Sequence, residues 1–276
     1  MENVIYKYLP IERLSYLEDE LLRITQPGDL NDPFECLPSP PSIEVFTNSL
    51  IEIRKTYINS INKGQYSAEE KTCLIEKLFF DINSSIRAVK TNKPNNLREV
   101  LYKRAINTIN NSMGIISLSK RWDSTLMWSH YTNSHKGFCV GFDTSTDYFK
   151  LYEKFSNDDK IYLPVIYSNN RIKIPINKQG DEIDVNVVLT KSTDWEYEQE
   201  KRLIIPLKQA HAKIKKSPFD IYLYKMPHHL IKEIIVGANI ENENLSIIQK
   251  FCVLKDIELY HSKLSETKFD MIRAKI

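Results

Sequence analysis

Glycine is scarce in this chain, with 7 among 276 residues. Dinucleotide folds and P-loops need clustered glycines so that backbone can approach a pyrophosphate, and no strand signal here is followed by such a turn. A glycine-rich phosphate cradle is excluded. Cysteine is scarce too. Cys36, Cys73, Cys139 and Cys252 stand far apart, with no CxxC and no spacing that suits zinc, and are expected as free thiols in a reducing compartment. Excess charge is missing: 38 Lys and Arg against 36 Asp and Glu leave a formal +2. No global field therefore draws nucleic acid or an anionic membrane, and any such surface is local. No run reaches the roughly 20 apolar residues of a membrane span, and "MENVIYKYLPIERL" lacks the pattern of a secretory leader. The expectation is a cytoplasmic protein without a membrane partner.

Apolar residues make up 42% of the chain, enough to bury a sizeable core. Strand signals open it, at 3–10 and 21–27, with a short amphipathic helix at 11–20 between them and a loop at 28–36. Residues 43–113 change period. Three stretches with apolar residues at 3–4 spacing, separated by "NKGQYS" and "TNKPNN", predict a three-helix insertion, and Ser67 with Glu70 predicts a capping box at the middle helix. Strands return at 114–119, 137–143, 161–168, 202–207, 220–225, 233–237 and 257–262. Helical pieces are expected at 146–155 and 241–252, with a mixed one at 185–200. Strands outnumber βαβ periods, so the fold class is α+β, one domain over 1–276 with a mainly antiparallel, curved sheet and the helical segment 43–113 inserted.

Four clusters carry polar chemistry. "YKY" places Tyr6 and Tyr8 on one strand face, either as a platform for a flat ligand or as core rings at a sheet edge. "NDPFE" offers the carboxylates of Asp32 and Glu35 with Phe34 as buried anchor, or is a structural turn fixed by Pro33. "SLSKRWDSTLMWSHYTNSHKGFCVGFD" (117–143) supplies Ser117 and Ser119 at a strand end. Its Trp122, Met127, Trp128 and Tyr131 read partly as a helix face, and Phe138, Val140 and Phe142 as one strand face. His130 and His135 are five apart, off the i, i+4 spacing of a helical metal pair, and no metal is expected. "KSTDWEYEQEKRL" (191–203) alternates Glu196, Glu198 and Glu200 with aromatic and amide residues and runs into an apolar strand. It is a solvated charge run or a pair of site carboxylates.

Taken in order, "YKYLP", "LNDPFE", "SLS", "MWSHYTNSHKGFCVGFD", "WEYEQEKRL" and "LIKEIIVG" resemble the blocks of DUF2971 proteins, a bacterial family without assigned function. More distantly, the layout resembles the ADP-ribosyltransferase fold, in which NAD lies between the halves of a split antiparallel sheet. One branch of that superfamily carries an Arg on the first strand, a Ser-Thr-Ser and a Glu-x-Glu. Ser117 and Ser119 match the serine element with Leu118 in the middle, and Glu198 and Glu200 match the last. The first strand carries Tyr6, Lys7 and Tyr8 but no Arg, so Arg23 or Lys7 stands in for it.

The resemblance implies an enzyme that consumes NAD as substrate, cleaving the nicotinamide–ribose bond as a transferase or glycohydrolase. It implies service as a toxin or phage-defence effector. Glu200, with Glu198 second, would stabilise the oxocarbenium-like ribose, and Tyr8 or Tyr131 would stack on nicotinamide. A cation from Arg23 or Lys7 would meet the pyrophosphate, and His130 would hold a ribose hydroxyl or orient Glu200. Asp32, Ser117, Ser119 and Trp128 complete the expected binding wall. The acceptor would be nucleic acid, protein, a small molecule or water, and 43–113 a surface for a protein partner. A non-catalytic nucleotide or nucleic-acid binding module on the same fold is the alternative. A metal hydrolase built on Asp32, Glu35 and His130 is a third reading.

Overall fold

Strand β1 (Val4–Leu9) sets the frame of the sheet, because both of its faces are apolar. Val4, Tyr6 and Tyr8 pack into one cluster and Ile5 and Leu9 into another, as the two-residue period of a strand requires. Only Lys7 breaks the pattern. A computed structural model of the chain describes residues 3–91, 96–149, 161–173 and 185–276. The chain divides into two compact units, one formed by Met1–Cys36, Asn110–Asn170 and Leu189–Ile276, the other by Leu37–Ile109 and Arg171–Val188.

The remaining elements follow in chain order. A one-turn helix α1 (Tyr16–Asp19) leads to β2 (Leu21–Ile24), and three long helices α2 (Ile43–Lys63), α3 (Ala68–Lys90) and α4 (Leu97–Ser112) come next. Then β3 (Met113–Ser119), α5 (Thr125–Tyr131) and β4 (Phe138–Asp143) carry the aromatic segment. Short pieces follow: β5 (Ile161–Pro164), β6 (Ile166–Tyr167), α6 (Val185–Leu189) and β7 (Thr190–Lys191). The chain closes with β8 (Glu200–Pro206), β9 (Ala212–Ile214), β10 (Ile221–Lys225), β11 (Ile231–Val236), α7 (Asn242–Lys255), β12 (Glu258–Leu264) and β13 (Met271–Lys275).

In the first unit, eight strands form one sheet in the order β13-β12-β11-β4-β1-β3-β8-β5. Every pairing in it is antiparallel except β11 with β12, which α7 joins. An antiparallel trio, β2-β10-β9, and a parallel pair, β6-β7, complete the strands of the described residues. The α+β class and the mainly antiparallel sheet thus agree with the sequence reading. Phe138, Val140 and Phe142 do share one face, packed with Ile116, Leu118, Leu203 and Ile205. The opposite face holds Tyr6, Tyr8, Trp128, Cys139 and Ile235.

One seam in this sheet is unlike the others. β1 is paired with β4 over six registered residues, from Val4 with Asp143 to Leu9 with Phe138. With β3 it shares a single registered pair, Tyr6 with Ser119. β3 in turn pairs with β8 along its whole length. The sheet is therefore nearly parted between β1 and β3.

The second unit holds the long helices. Ser42 caps α2 through Val45 N–H, and Ser67 with Glu70 forms the expected reciprocal capping box on α3. Phe46, Leu50, Ile82 and Val89 make its small core, with Leu78, Ile86 and Leu97 against it. Arg171 ties this unit together by donating to the carbonyls of Leu37 and Pro38.

Several elements differ from the sequence reading for local reasons. The helix expected over 11–20 breaks into a 3-10 turn and α1, ended by Glu20 in a left-handed conformation. Residues 185–200 split into α6, β7 and a 3-10 turn over Thr193–Glu198. Of the helix expected over 146–155, Asp147–Phe149 is a 3-10 turn and 150–155 lies outside the described residues. Three strands short of a clear alternation (β7, β9 and β13) had no sequence signal. Among the described residues no helix is long and apolar enough to cross a membrane.

Candidate functional site

A cavity of about 420 Å³ opens where β1 and β3 part. This is within the usual size of a small-molecule site. β1 lends it Tyr6, Lys7 and Tyr8, and β3 lends Ser117 and Ser119. Met127, His130 and Tyr131 of α5 form another side, and Lys191, Trp195, Glu198 and Glu200 close the far wall. Arg23, Asn31 and Glu35 reach it from the β2 side. Of the residues the ADP-ribosyltransferase resemblance implied, ten meet at this one cavity: Tyr6, Lys7, Tyr8, Arg23, Ser117, Ser119, His130, Tyr131, Glu198 and Glu200.

Each is held there by an identifiable contact. The Tyr6 hydroxyl donates to Glu233 Oε1 on β11 at 2.9 Å, and Arg273 pairs with the same carboxylate. The ring is thus pinned from its polar end. Tyr8 donates to the Arg121 carbonyl at 3.1 Å and meets Trp128 edge-on, ring centroids 5.3 Å apart. Lys7 donates to the Ser117 carbonyl at 3.0 Å, and burial pulls its ammonium down from 10.5 to about 8, against the upward pull of Glu200 and Glu198. Ser119 donates to the Glu198 carbonyl at 2.6 Å and accepts from Arg121 N–H.

The two glutamates sit neither on one strand nor on one helix. Glu198 ends the 3-10 turn, Gln199 is left-handed at φ 45°, and Glu200 begins β8. A left-handed residue without glycine costs about 1 kcal/mol or more, and here it turns both carboxylates into the cavity. Lys191 lies between them, 2.6 Å from Glu198 Oε2 and 3.0 Å from Glu200 Oε2. Arg202, fully buried on β8, grips Glu200 with Nε and Nη2 at 2.9 and 3.1 Å and also pairs with Glu35. Burial pushes the Glu200 carboxyl up, with Lys191 and the Ser117 hydroxyl acting the other way. Burial pulls Lys191 down, but Glu200 and Glu198 more than restore it, so its pKa ends above the ordinary lysine value.

Counting acceptor sites separates the two carboxylates. Glu200 meets two donors from Arg202, one from Lys191 and one from Ser117, which fills the roughly four lone-pair sites of a carboxylate. Glu198 accepts from Tyr131 Oη at 2.6 Å and from Lys191, leaving room for two more donors. Glu35 Oε2 is buried and meets no donor among the described residues. Three carboxylates (Glu35, Glu198 and Glu200) meet three cations: Lys191 and Arg202 pair with them directly, and Lys7 lies within electrostatic reach of Glu200 and Glu198.

The structure places some candidates elsewhere. Trp128 is fully buried behind the wall, its indole N–H given to the Trp122 carbonyl, because α5 turns it into the core with Tyr8. Asp32 is buried but does not line the cavity; its Oδ1 caps the turn at Phe34 N–H, and Oδ2 meets no donor among the described residues. Phe34, expected as a buried anchor, is 64% exposed. Arg23 is engaged by Asp29, so it is not an open cation. His130 is exposed at the rim and meets the Tyr131 ring edge-on. Three contributors were given no site role from the sequence: Lys191, Trp195 and Arg202. Lys191 follows the apolar run "VNVVLT", and a lone lysine ending such a run is the one signal that could have marked it. No group of three or more His, Cys, Asp or Glu among the described residues is arranged to hold a metal ion.

Residues 127–203 match the model of the family described as "Protein of unknown function (DUF2971)". The matched segment spans α5 to β8 and so carries Tyr131, Lys191, Glu198, Glu200 and Arg202. No curated protein and no solved structure matches the chain.

Proposed function

We propose that this DUF2971-matching chain binds NAD in the cavity between β1 and β3 and cleaves its nicotinamide–ribose bond, in the manner of an ADP-ribosyltransferase. The observation that carries the reading is the convergence of Glu198 and Glu200 with Tyr6, Tyr8, Ser117, Ser119 and Tyr131 on one cavity at a parted antiparallel sheet. The charge of the site suits the chemistry. Nicotinamide in NAD is cationic, and breaking its bond to ribose leaves an oxocarbenium-like sugar. The Glu198 carboxylate, with acceptor sites to spare, stabilises that developing charge.

Glu198 takes the reacting role in this reading, in place of the Glu200 favoured from the sequence. It keeps acceptor sites for a ribose hydroxyl and for the developing positive charge, whereas Glu200 is saturated. Glu200 and Lys191 then fix the position of Glu198, and Tyr131 holds its other oxygen. Tyr8 or Tyr131 offers a ring to the nicotinamide. Lys7 is the cation available to the pyrophosphate, since Arg23 is engaged by Asp29. Ser117 and Ser119 border the path between these groups.

Nicotinamide release from NAD by the purified protein, with and without added cell lysate, tests this. Release in the wild type that is lost in Glu198→Gln, with the fold kept, is the expected result. A folded wild type that neither binds NAD nor releases nicotinamide would shift the assignment to a non-catalytic nucleotide-binding module.

A further inference from the structure

The single Tyr6–Ser119 pair parts the β1/β3 seam in two directions. Antiparallel register would set Lys7 and Tyr8 beside Leu118 and Ser117, and that side opens into the cavity already described. It would set Ile5, Val4 and Asn3 beside Lys120, Arg121 and Trp122. That side opens into a second cavity, of about 560 Å³, and Tyr6 borders both. Its remaining walls are Asp123, Thr144, Tyr162 and Lys201. Among the described residues β1 has no strand along this half of its edge, because β3 has ended and the chain has turned away towards α5.

The chemistry of the second cavity differs from that of the first. Three cations, Lys120, Arg121 and Lys201, face one carboxylate, Asp123, which already accepts from Arg121 Nε at 2.8 Å. Among the described residues neither lysine is paired with an acid, and each repels the other: burial first and then Lys120 pull the Lys201 ammonium below its ordinary value. An anion placed between them relieves that repulsion. Two rings flank the cations. The Lys201 ammonium lies 4.6 Å from the Tyr162 ring centroid, and Trp122, next in sequence to Arg121, brings the second ring, with the Arg273 guanidinium 5.0 Å from its centroid and outside this cavity. Interleaved ammonium groups and half-buried aromatic faces are what a nucleotide needs, phosphate on the cations and base on the ring. An open trough along a bare strand edge also suits a chain that enters and leaves.

We propose that the cavity bordered by Lys120, Arg121, Trp122, Tyr162 and Lys201 is a docking site for single-stranded nucleic acid, beside the first cavity and separated from it by Tyr6. The local charge does what the near-neutral whole chain does not. The site stands apart from the NAD reading, since nothing in it uses Glu198 or the first cavity.

Fluorescence anisotropy with a labelled 12-nucleotide single strand, as RNA and as DNA, tests the proposal without NAD. The wild type is expected to bind, with log K falling linearly as log salt rises. The surface double substitution Lys120→Ala with Lys201→Ala is expected to weaken binding at least tenfold and to flatten the salt slope by about 1.4, from two lost phosphate contacts at about 0.7 each. Trp122→Leu is expected to weaken binding severalfold with little change in slope, marking a lost stack and not a lost charge. Circular dichroism and a melting curve check that each variant is folded. No binding by folded wild type at low salt overturns the proposal. So does binding that the lysine pair does not affect, or equal competition by heparin with no dependence on Trp122. Displacement of the strand by AMP at equal nucleotide concentration overturns the strand assignment.

Discussion

Tyr131 donates its hydroxyl to Glu198 Oε1 at 2.6 Å, joining the end of α5 to the 3-10 turn before β8 across 67 residues of chain. Burial and the Glu198 charge hold the Tyr131 phenol well above its ordinary pKa, so it remains a donor through the physiological range. A charge-assisted hydrogen bond of this kind is worth about 1.5–3 kcal/mol. Tyr131→Phe is expected to slow nicotinamide release roughly 10-fold or more, by loosening Glu198, and to leave the melting temperature within a few degrees. Glu198→Gln should cost about 100-fold or more, the scale of losing a group that stabilises transition-state charge. Release from NAD measured for both variants checks the order. Equal loss in the two would mean that Tyr131 acts on substrate directly.

Lys191 is the hinge of the charge cluster, buried between Glu198 and Glu200 with Glu35 3.6 Å away. Removing one partner of a buried ion network strands the others, at about 3–5 kcal/mol. Lys191→Met is therefore expected to lower the urea midpoint markedly. Its pH dependence carries the sign. Burial raises the folded-state pKa of Glu200, so the folded chain binds that proton more tightly than the unfolded chain. Stability from this group is present below the ordinary carboxylate range and lost as pH rises through the folded value. Without Lys191 the loss is larger, so the variant should weaken more steeply than wild type as pH rises above the ordinary carboxylate range. Unfolding curves at several pH values decide it, and adding Glu198→Gln should restore part of the stability.

Lys7 has the opposite sign. Its ammonium is pulled down from 10.5 to about 8, so between those values the folded chain holds fewer protons than the unfolded one. Folding stability from Lys7 is complete above the unfolded value and is lost as pH falls towards about 8. Binding of a phosphorylated ligand runs the other way, because it needs the charged form. NAD affinity is expected to fall as pH rises through about 8, and to lose that dependence in Lys7→Arg. Calorimetric titration across pH 7 to 9 measures both.

The strands were readable where alternation and burial coincide, as in β1, β3, β4 and β11. The capping box of α3 was readable because its two residues, Ser67 and Glu70, stand only three apart in sequence. The site was half readable. Tyr6, Tyr8, Ser117 and Ser119 declare a strand face, and Glu198 with Glu200 declares an alternation. What the sequence hides is the device between the glutamates, since left-handed Gln199 has no glycine to announce it. It also hides which cation is taken: Arg23 and Asp29 are six residues apart and meet through the loop after β2. Trp128 was misplaced for a related reason. The register of α5 against β1, and not its composition, decides which of Trp128 and Tyr131 faces the cavity. The second cavity lay entirely outside the sequence reading, because it depends on β1 and β3 pairing at one position only.

The turn after α5 offers a last test, of how that register is fixed. Asn133, Ser134 and His135 all have positive φ, a run that side chains rarely adopt. Gly237, just past β11, packs against its backbone: a Cβ there would fall 2.1 Å from the His135 carbonyl oxygen and 2.6 Å from its carbon. Gly237 N–H donates to the Gly137 carbonyl at 2.9 Å, and Asn239 N–H to that of His135 at 2.9 Å. Backbone cannot yield as a side-chain tip can, so Gly237→Ala must push the turn away, at about 1–3 kcal/mol. Gly64→Ala is the control, because its nearest neighbours are ring atoms of half-exposed Tyr66, which can swing aside. Gly64→Ala is expected to change the urea midpoint little. Gly237→Ala is expected to lower it and to weaken NAD binding as well, since the turn it displaces positions His130 and Tyr131. A variant that loses stability while keeping full affinity would show that the register of α5 is set by Trp128 in the core and not by this turn.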